Sequence, residues 1–132
     1  MSDFVPLEDD EQIAFVSWCE DRGLKLSAIP NSTYTPHHSV KARNRRLGLR
    51  PGFPDLVVLV SPKQSRDGEG YFLCIEMKRI KLSKTSDEQK AWHTAINELG
   101  TLNVQAYVCK GADAAERIVR GYLKPELDRV TF

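Results

Sequence analysis

Gly52-Phe53-Pro54-Asp55-Leu56-Val57-Val58-Leu59-Val60 and Tyr71-Phe72-Leu73-Cys74-Ile75-Glu76-Met77-Lys78 decide the fold of this chain. Both stretches are apolar runs of strand length, and the segment between them, Ser61 to Gly70, is made of turn formers and charges. Pairing Val60 with Tyr71 across that loop gives an antiparallel hairpin whose register sets Asp55 opposite Glu76. Directly opposed residues have Cβ atoms about 4.5–5.5 Å apart, and like charges there repel. A divalent cation between two carboxylates turns that repulsion into coordination. Strand side chains alternate between faces, so Glu76 and Lys78 share one side while Ile75 and Met77 take the other. Two carboxylates and an ammonium at one point suit metal-dependent phosphodiester hydrolysis. Glu-x-Lys alone would be an ordinary solvated strand end; Pro54-Asp55 opening the facing strand is what makes the pair informative, because stray carboxylates are costly on strands this apolar.

Working outward, a helix is expected from about Asp9 to Arg22, opening on an acidic cap and stopped by Gly23. Leu24 to Ile29 reads as a strand, Pro30 to Pro36 as loop, and Lys41 to Arg50 as a basic helical segment. Ser86-x-x-Gln89 is a capping-box pattern opening a helix that carries Trp92, Ile96 and Leu99 on one face before Gly100. Val104, Ala106 and Val108 alternate as a further strand, and Asp113-x-x-Glu116 is expected to cap a last helix bearing Ile118, Val119, Tyr122 and Leu123. Strand, helix, strand from 71 to 109 is a right-handed crossover, which makes those two strands parallel. The expected fold class is α/β, a mixed central β-sheet flanked by helices.

With 132 residues and 41% hydrophobic side chains, residues 1–132 are expected to form one domain with its own core. The net charge of +1 hides an uneven distribution. Residues 3 to 21 hold seven acids and no base, whereas Lys41, Arg43, Arg45, Arg46 and Arg50 form a cluster without an acid. With Arg79, Lys81 and Lys84 beside the Glu-x-Lys strand, that cluster has the sign and density that phosphate neutralisation needs, although a solvated basic helix looks the same. Cys19, Cys74 and Cys109 are widely spaced within apolar runs and read as buried, reduced thiols of a cytosolic protein. An acidic N-terminus and the lack of an apolar run near 18 residues argue against a signal peptide and a membrane span.

In order along the chain stand Glu11, Ile29-Pro30-Asn31, the basic stretch from Lys41 to Arg50, Gly52-Phe53-Pro54-Asp55, Glu76-Met77-Lys78 and Gln89. This arrangement resembles the PD-(D/E)xK nuclease superfamily and, within it, the stand-alone viral and bacterial type of the VRR-NUC domain, over roughly residues 8 to 110. Ser32 follows Asn31 where the family has Gly. The resemblance implies a restriction-endonuclease-like core and a metal-dependent DNA endonuclease. Asp55, Glu76 and the backbone carbonyl of Met77 would hold Mg²⁺ or Mn²⁺, with Glu11 completing the shell. Lys78 would orient or deprotonate the attacking water, and Gln89 would orient Lys78 or the water, unless capping is its whole task. Lys41, Arg43, Arg45, Arg46, Arg50, Arg79 and Lys81 would contact DNA. It further implies a homodimer acting on branched DNA such as Holliday junctions, in a bacterial or phage-infected host cytosol. A restriction-like, flap or single-strand nuclease with the same site, and a catalytically silent nucleic-acid-binding module, are the rival readings. His37 and His38 read as loop residues, His93 as a helix-surface residue, and Phe4, Val5, Leu7 and Phe132 as apolar residues available to a second subunit.

Overall fold

The hairpin register is the one the loop demands: Val60 pairs with Tyr71 and Leu56 with Ile75. In the computed structural model, which describes residues 5–30 and 37–128, the elements run α1 (Glu8–Asp21), β1 (Lys25–Ala28), α2 (His38–Arg46), β2 (Leu56–Val60), β3 (Tyr71–Lys78), α3 (Asp87–Asn97), β4 (Val104–Lys110), α4 (Ala112–Arg120) and the single turn α5 (Pro125–Asp128). The sheet order is β1-β2-β3-β4. β1, β2 and β3 are antiparallel neighbours, and β4 lies parallel to β3 after the α3 connection.

The period of two divides the sheet's side chains between two cores. Leu56, Val58, Val60, Leu73, Ile75, Met77 and Cys109 face α1 and α4, where they meet Phe15, Cys19, Ala115 and Val119. Val57, Cys74 and Ala106 face α3 and meet Ile96, with Phe53 packed beside them. The first core is the larger, and its central side chains are fully excluded from water. The second covers only part of its face, which leaves the β3 end carrying Glu76 and Lys78 beside the start of α3.

Several local expectations change. α1 has Leu7 at its cap without a side-chain hydrogen bond, so Glu8, Asp9, Asp10 and Glu11 act through first-turn charge. α4 begins after Gly111, and Asp113 lies inside its first turn. α3 ends at Asn97, leaving Leu99 exposed. His38 is the first residue of α2 and His37 its cap, so neither lies in a free loop. Asn31 and Ser32, with Phe4 and Phe132, lie outside the described residues. The three cysteines are buried and unbridged, and no described helix is long and apolar enough to cross a membrane.

Gly52 sets how closely the Asp55 segment can approach α3. Its φ is +90°, and a Cβ there would lie 2.6 Å from the Glu88 carbonyl carbon, whereas one at Gly23, φ +71°, meets nothing within 4 Å. Gly23→Ala is expected to cost about 1–2 kcal/mol, the left-handed conformation alone, and Gly52→Ala about 1–3 kcal/mol more for the overlap. Urea denaturation of both variants checks this; an equal or smaller loss at Gly52 contradicts the packing described.

Candidate metal centre

β3 runs three residues past the last β2 pair, Leu56 with Ile75, so Glu76, Met77 and Lys78 project beyond the end of β2. Asp55 occupies that gap. Its Oδ2 accepts the Met77 backbone N–H at 2.8 Å, and its own carbonyl accepts from Ile29 N–H at 2.8 Å. The N–H and C=O of a strand residue leave on the same edge. Met77 therefore turns its carbonyl toward the Asp55 side, while Lys78, whose carbonyl accepts from Gly111 at 2.9 Å, faces β4.

The third carboxylate is Glu8. One oxygen each from Glu8, Asp55 and Glu76 lie within 4.8 Å of one another. Glu8 is the first residue of α1, and that helix start is tethered to the end of β3: Arg79 donates from Nη2 to the Val5 carbonyl at 3.1 Å and from Nε to the Pro6 carbonyl at 3.3 Å. Arg79 thus engages the backbone through Nε and Nη2. Glu11, one turn further, faces elsewhere; its Oε2 is buried without a hydrogen-bond partner and lies where a Cβ on Gly111 would stand, 2.6 Å away. The choice of Glu8 over Glu11 was not legible because four consecutive acids fill that turn, and the helix phase alone does not say which one reaches the sheet end.

Glu76 is 1% exposed, and both its carboxylate oxygens are without a hydrogen-bond donor. Burial pushes its carboxyl up to about 9, with Asp55 and then Glu8 adding to the shift and Lys78 opposing it. Burial, followed by the Asp55 charge, also raises Glu8. Three converging carboxylates, of which the buried Glu76 has no hydrogen-bond donor on either oxygen, form a site that a hard, oxygen-seeking cation satisfies, so the residues fit a divalent metal such as Mg²⁺ or Mn²⁺.

Lys78, 8% exposed, donates from Nζ to Gln89 Oε1 at 2.9 Å. The same oxygen accepts the Ser86 backbone N–H at 2.8 Å, while Ser86 Oγ accepts from Gln89 N–H at 3.1 Å. Capping and orientation of Lys78 are therefore one job: the cap fixes the amide, and the amide fixes the ammonium. Four residues on, His93 falls on the same helix face, and it is not a surface residue. Its Nε2 is buried without a hydrogen-bond partner, and burial holds the imidazole below its usual range, with the Ala106 backbone and the Asp55 charge opposing. The Gln89 spacing was the sequence signal for it.

The remaining cations lie on α2, on the loop that follows it and after β3. Lys41, Arg43, Arg45 and Arg46 are exposed on α2, which buries no residue of its own. Arg50 donates from Nη1 to the carbonyls of Arg45, at 2.7 Å, and Leu49, at 3.1 Å. Lys81 is exposed in the turn after β3.

The model of the VRR-NUC domain family matches residues 7–113. A solved structure described as a VRR_NUC domain protein superposes with a TM-score of 0.58 at 22% identity, covering 97% of this chain and 100% of that one. No curated protein sequence matches the chain.

Because the folded state holds the Glu76 proton to about 9 against an ordinary value of 4.5, between those values the native chain binds a proton that the unfolded chain has lost. Stability is then full below about 4.5 and falls as pH rises toward 9. In EDTA, chemical denaturation at several pH values should show that decline, and Glu76→Gln should flatten it. A pH-independent wild type, or the same slope in the variant, contradicts the assignment.

Proposed function

The chain belongs to the VRR-NUC family, which carries a nuclease-type function, and from that premise we propose that it is a structure-selective, divalent-metal-dependent DNA endonuclease that cuts branched DNA such as four-way junctions. The observation that carries this is the buried Glu76 carboxylate, without a donor and within 4.8 Å of Asp55 and Glu8, backed by a lysine whose position is fixed by Gln89.

In this reading Asp55, Glu76, the Met77 carbonyl and Glu8 hold Mg²⁺ or Mn²⁺. When bound, the ion lowers the pKa of water and neutralises charge developing on the scissile phosphate. Asp55 stays aimed because Met77 N–H holds its other oxygen. Lys78 orients the attacking water and exchanges a proton with it, from a position that Gln89 keeps constant. Lys41, Arg43, Arg45, Arg46 and Arg50, with Lys81, neutralise backbone phosphates, which positions the DNA without reading its sequence.

A four-way junction has two-fold symmetry, and a C₂ dimer supplies two equivalent sites. Leu59 and Phe72, paired across β2 and β3, are 42% and 41% exposed, and Leu102 nearby in sequence to β4 is 81% exposed. Apolar surface of this kind supports assembly with a second copy.

Asp55→Asn and Glu76→Gln should each abolish cleavage while leaving DNA binding intact or tighter, since each removes a ligand and a negative charge. Lys78→Ala should slow cleavage by about 10²–10⁴ with little change in metal affinity. Glu8→Gln should cost more activity than Glu11→Gln. Labelled junction, flap, single-stranded and linear duplex DNA, each with Mg²⁺, Mn²⁺ or EDTA, provide the measurement. Near wild-type rates in either of the first two variants overturn the mechanism, and preferential cutting of linear duplex overturns the substrate.

A further inference from the structure

Beyond the carboxylates, three hollows meet at Arg50, two of them against Trp92. A cleft of about 440 Å³ lies between Arg50-Pro51 and the α3 residues Glu88, Ala91, Trp92 and Ala95. A second hollow, about 290 Å³, reaches the same tryptophan and Arg50 from the side of Ile29, Leu49 and Phe53. A third, about 620 Å³, runs from Arg50 along Arg45 and Arg46 on α2. Arg50 lies where all three meet. The basic track along α2 therefore leads past one guanidinium into a cleft walled by an indole.

That indole is fixed. Its Nε1–H donates to the Pro51 carbonyl at 3.0 Å, and the Phe53 ring meets it edge-on, centroids 5.2 Å apart at 72°. The ring is thus held in place before any ligand arrives. Ala91 and Ala95 line the cleft with small apolar side chains, and its volume falls within the range of about 300–1,000 Å³ typical of small-ligand sites. Glu88, which also lines the cleft, repels a phosphate and leaves the anion to Arg50.

The cleft is built on the same two segments that carry Asp55 and Gln89. Phe53 is two residues from Asp55, at most about 7 Å along the chain, and Trp92 is less than one helical turn beyond Gln89, about 4.5 Å along the axis.

Resting on the reading of this chain as a DNA nuclease, we propose that the Trp92 cleft stacks one unpaired base of the DNA strand next to the scissile phosphate, with Arg50 on the phosphate that follows. A base in a continuous duplex is already stacked and cannot enter. A base at a branch, flap or single strand is free to do so, and stacking on an aromatic ring is tolerant of sequence. This cleft is then the element that selects branched over continuous DNA.

Equilibrium titrations in EDTA test it with the whole chain and with no dependence on cleavage. The probes are a short single-stranded oligodeoxynucleotide, the same strand with abasic sites, and a blunt duplex. Trp92 fluorescence should be quenched by the base-bearing strand and not by the abasic strand; Trp18, buried beneath Arg22 at 4.1 Å, should not respond. Trp92→Phe, which keeps a ring, should lose the quench but retain most affinity. Trp92→Leu should bind the single strand about five- to 150-fold more weakly, with duplex affinity unchanged. A Trp92 that serves only to staple the loop to α3 would show equal losses on all three probes, and that result overturns the proposal, as does quenching independent of bases. Cleavage assayed on the same preparations separates the two claims. Base-dependent quenching without metal-dependent cleavage removes the nuclease reading alone, and cleavage without such quenching removes the cleft alone.

Discussion

Two carboxylates forced to face each other at the end of a hairpin are the constraint on which this structure turns. Asp55 follows a proline and immediately precedes β2, and Glu76 lies beyond the last pair of β3 with β2. Because β2 stops early, Met77 is left with an N–H and no strand partner on that edge, and Asp55 supplies the acceptor. The same hydrogen bond that completes the sheet aims one carboxylate at the other. Everything nearby tunes the conflict: α3 closes the face, Lys78 offsets part of the negative charge, and Gln89 holds Lys78. Glu8 enters from α1, whose preceding segment Arg79 ties to the end of β3.

The cost of this arrangement is carried by the rest of the fold. A buried acceptor without a donor destabilises a protein by about 1–3 kcal/mol even when neutral, and by more when charged. The well-filled core between the sheet and α1 and α4 offsets it. A cation that binds only the folded chain returns stability in proportion to its concentration over its dissociation constant. In the function proposed above, affinity for metal and instability without it are therefore two expressions of one geometry. The three carboxylates sit on, or next to, the ends of regular elements instead of in long loops, which keeps their spacing constant.

What the sequence revealed follows the range of each rule. The hairpin register was readable because loop ends and period-two alternation are local, and Asp55, Glu76 and Lys78 came with it. The parallel β3–β4 pair was readable from chain connectivity. Glu8 was not, since the approach of α1 to the sheet end depends on Arg79 reaching back more than 70 residues to two backbone carbonyls. The backbone partners of Arg79 were hidden for the same reason: a cation's partner is invisible until the chain folds. His93 was legible in principle from its spacing to Gln89, but a helix face is defined only once its neighbours are known. The Trp92 cleft depends on Gly52 allowing the loop against Glu88, a tertiary approach that glycine permits but does not announce.

The central claim, that Glu76 is held as a buried acid until a divalent cation takes the place of its proton, is tested most directly by isothermal titration of Mn²⁺ into the chain near neutral pH in buffers of differing ionisation enthalpy. The heat should vary with buffer in the proportion that marks release of about one proton per ion bound, and that dependence should vanish in Glu76→Gln. Binding with heats independent of the buffer in the wild-type chain, or an absence of binding, would contradict the account.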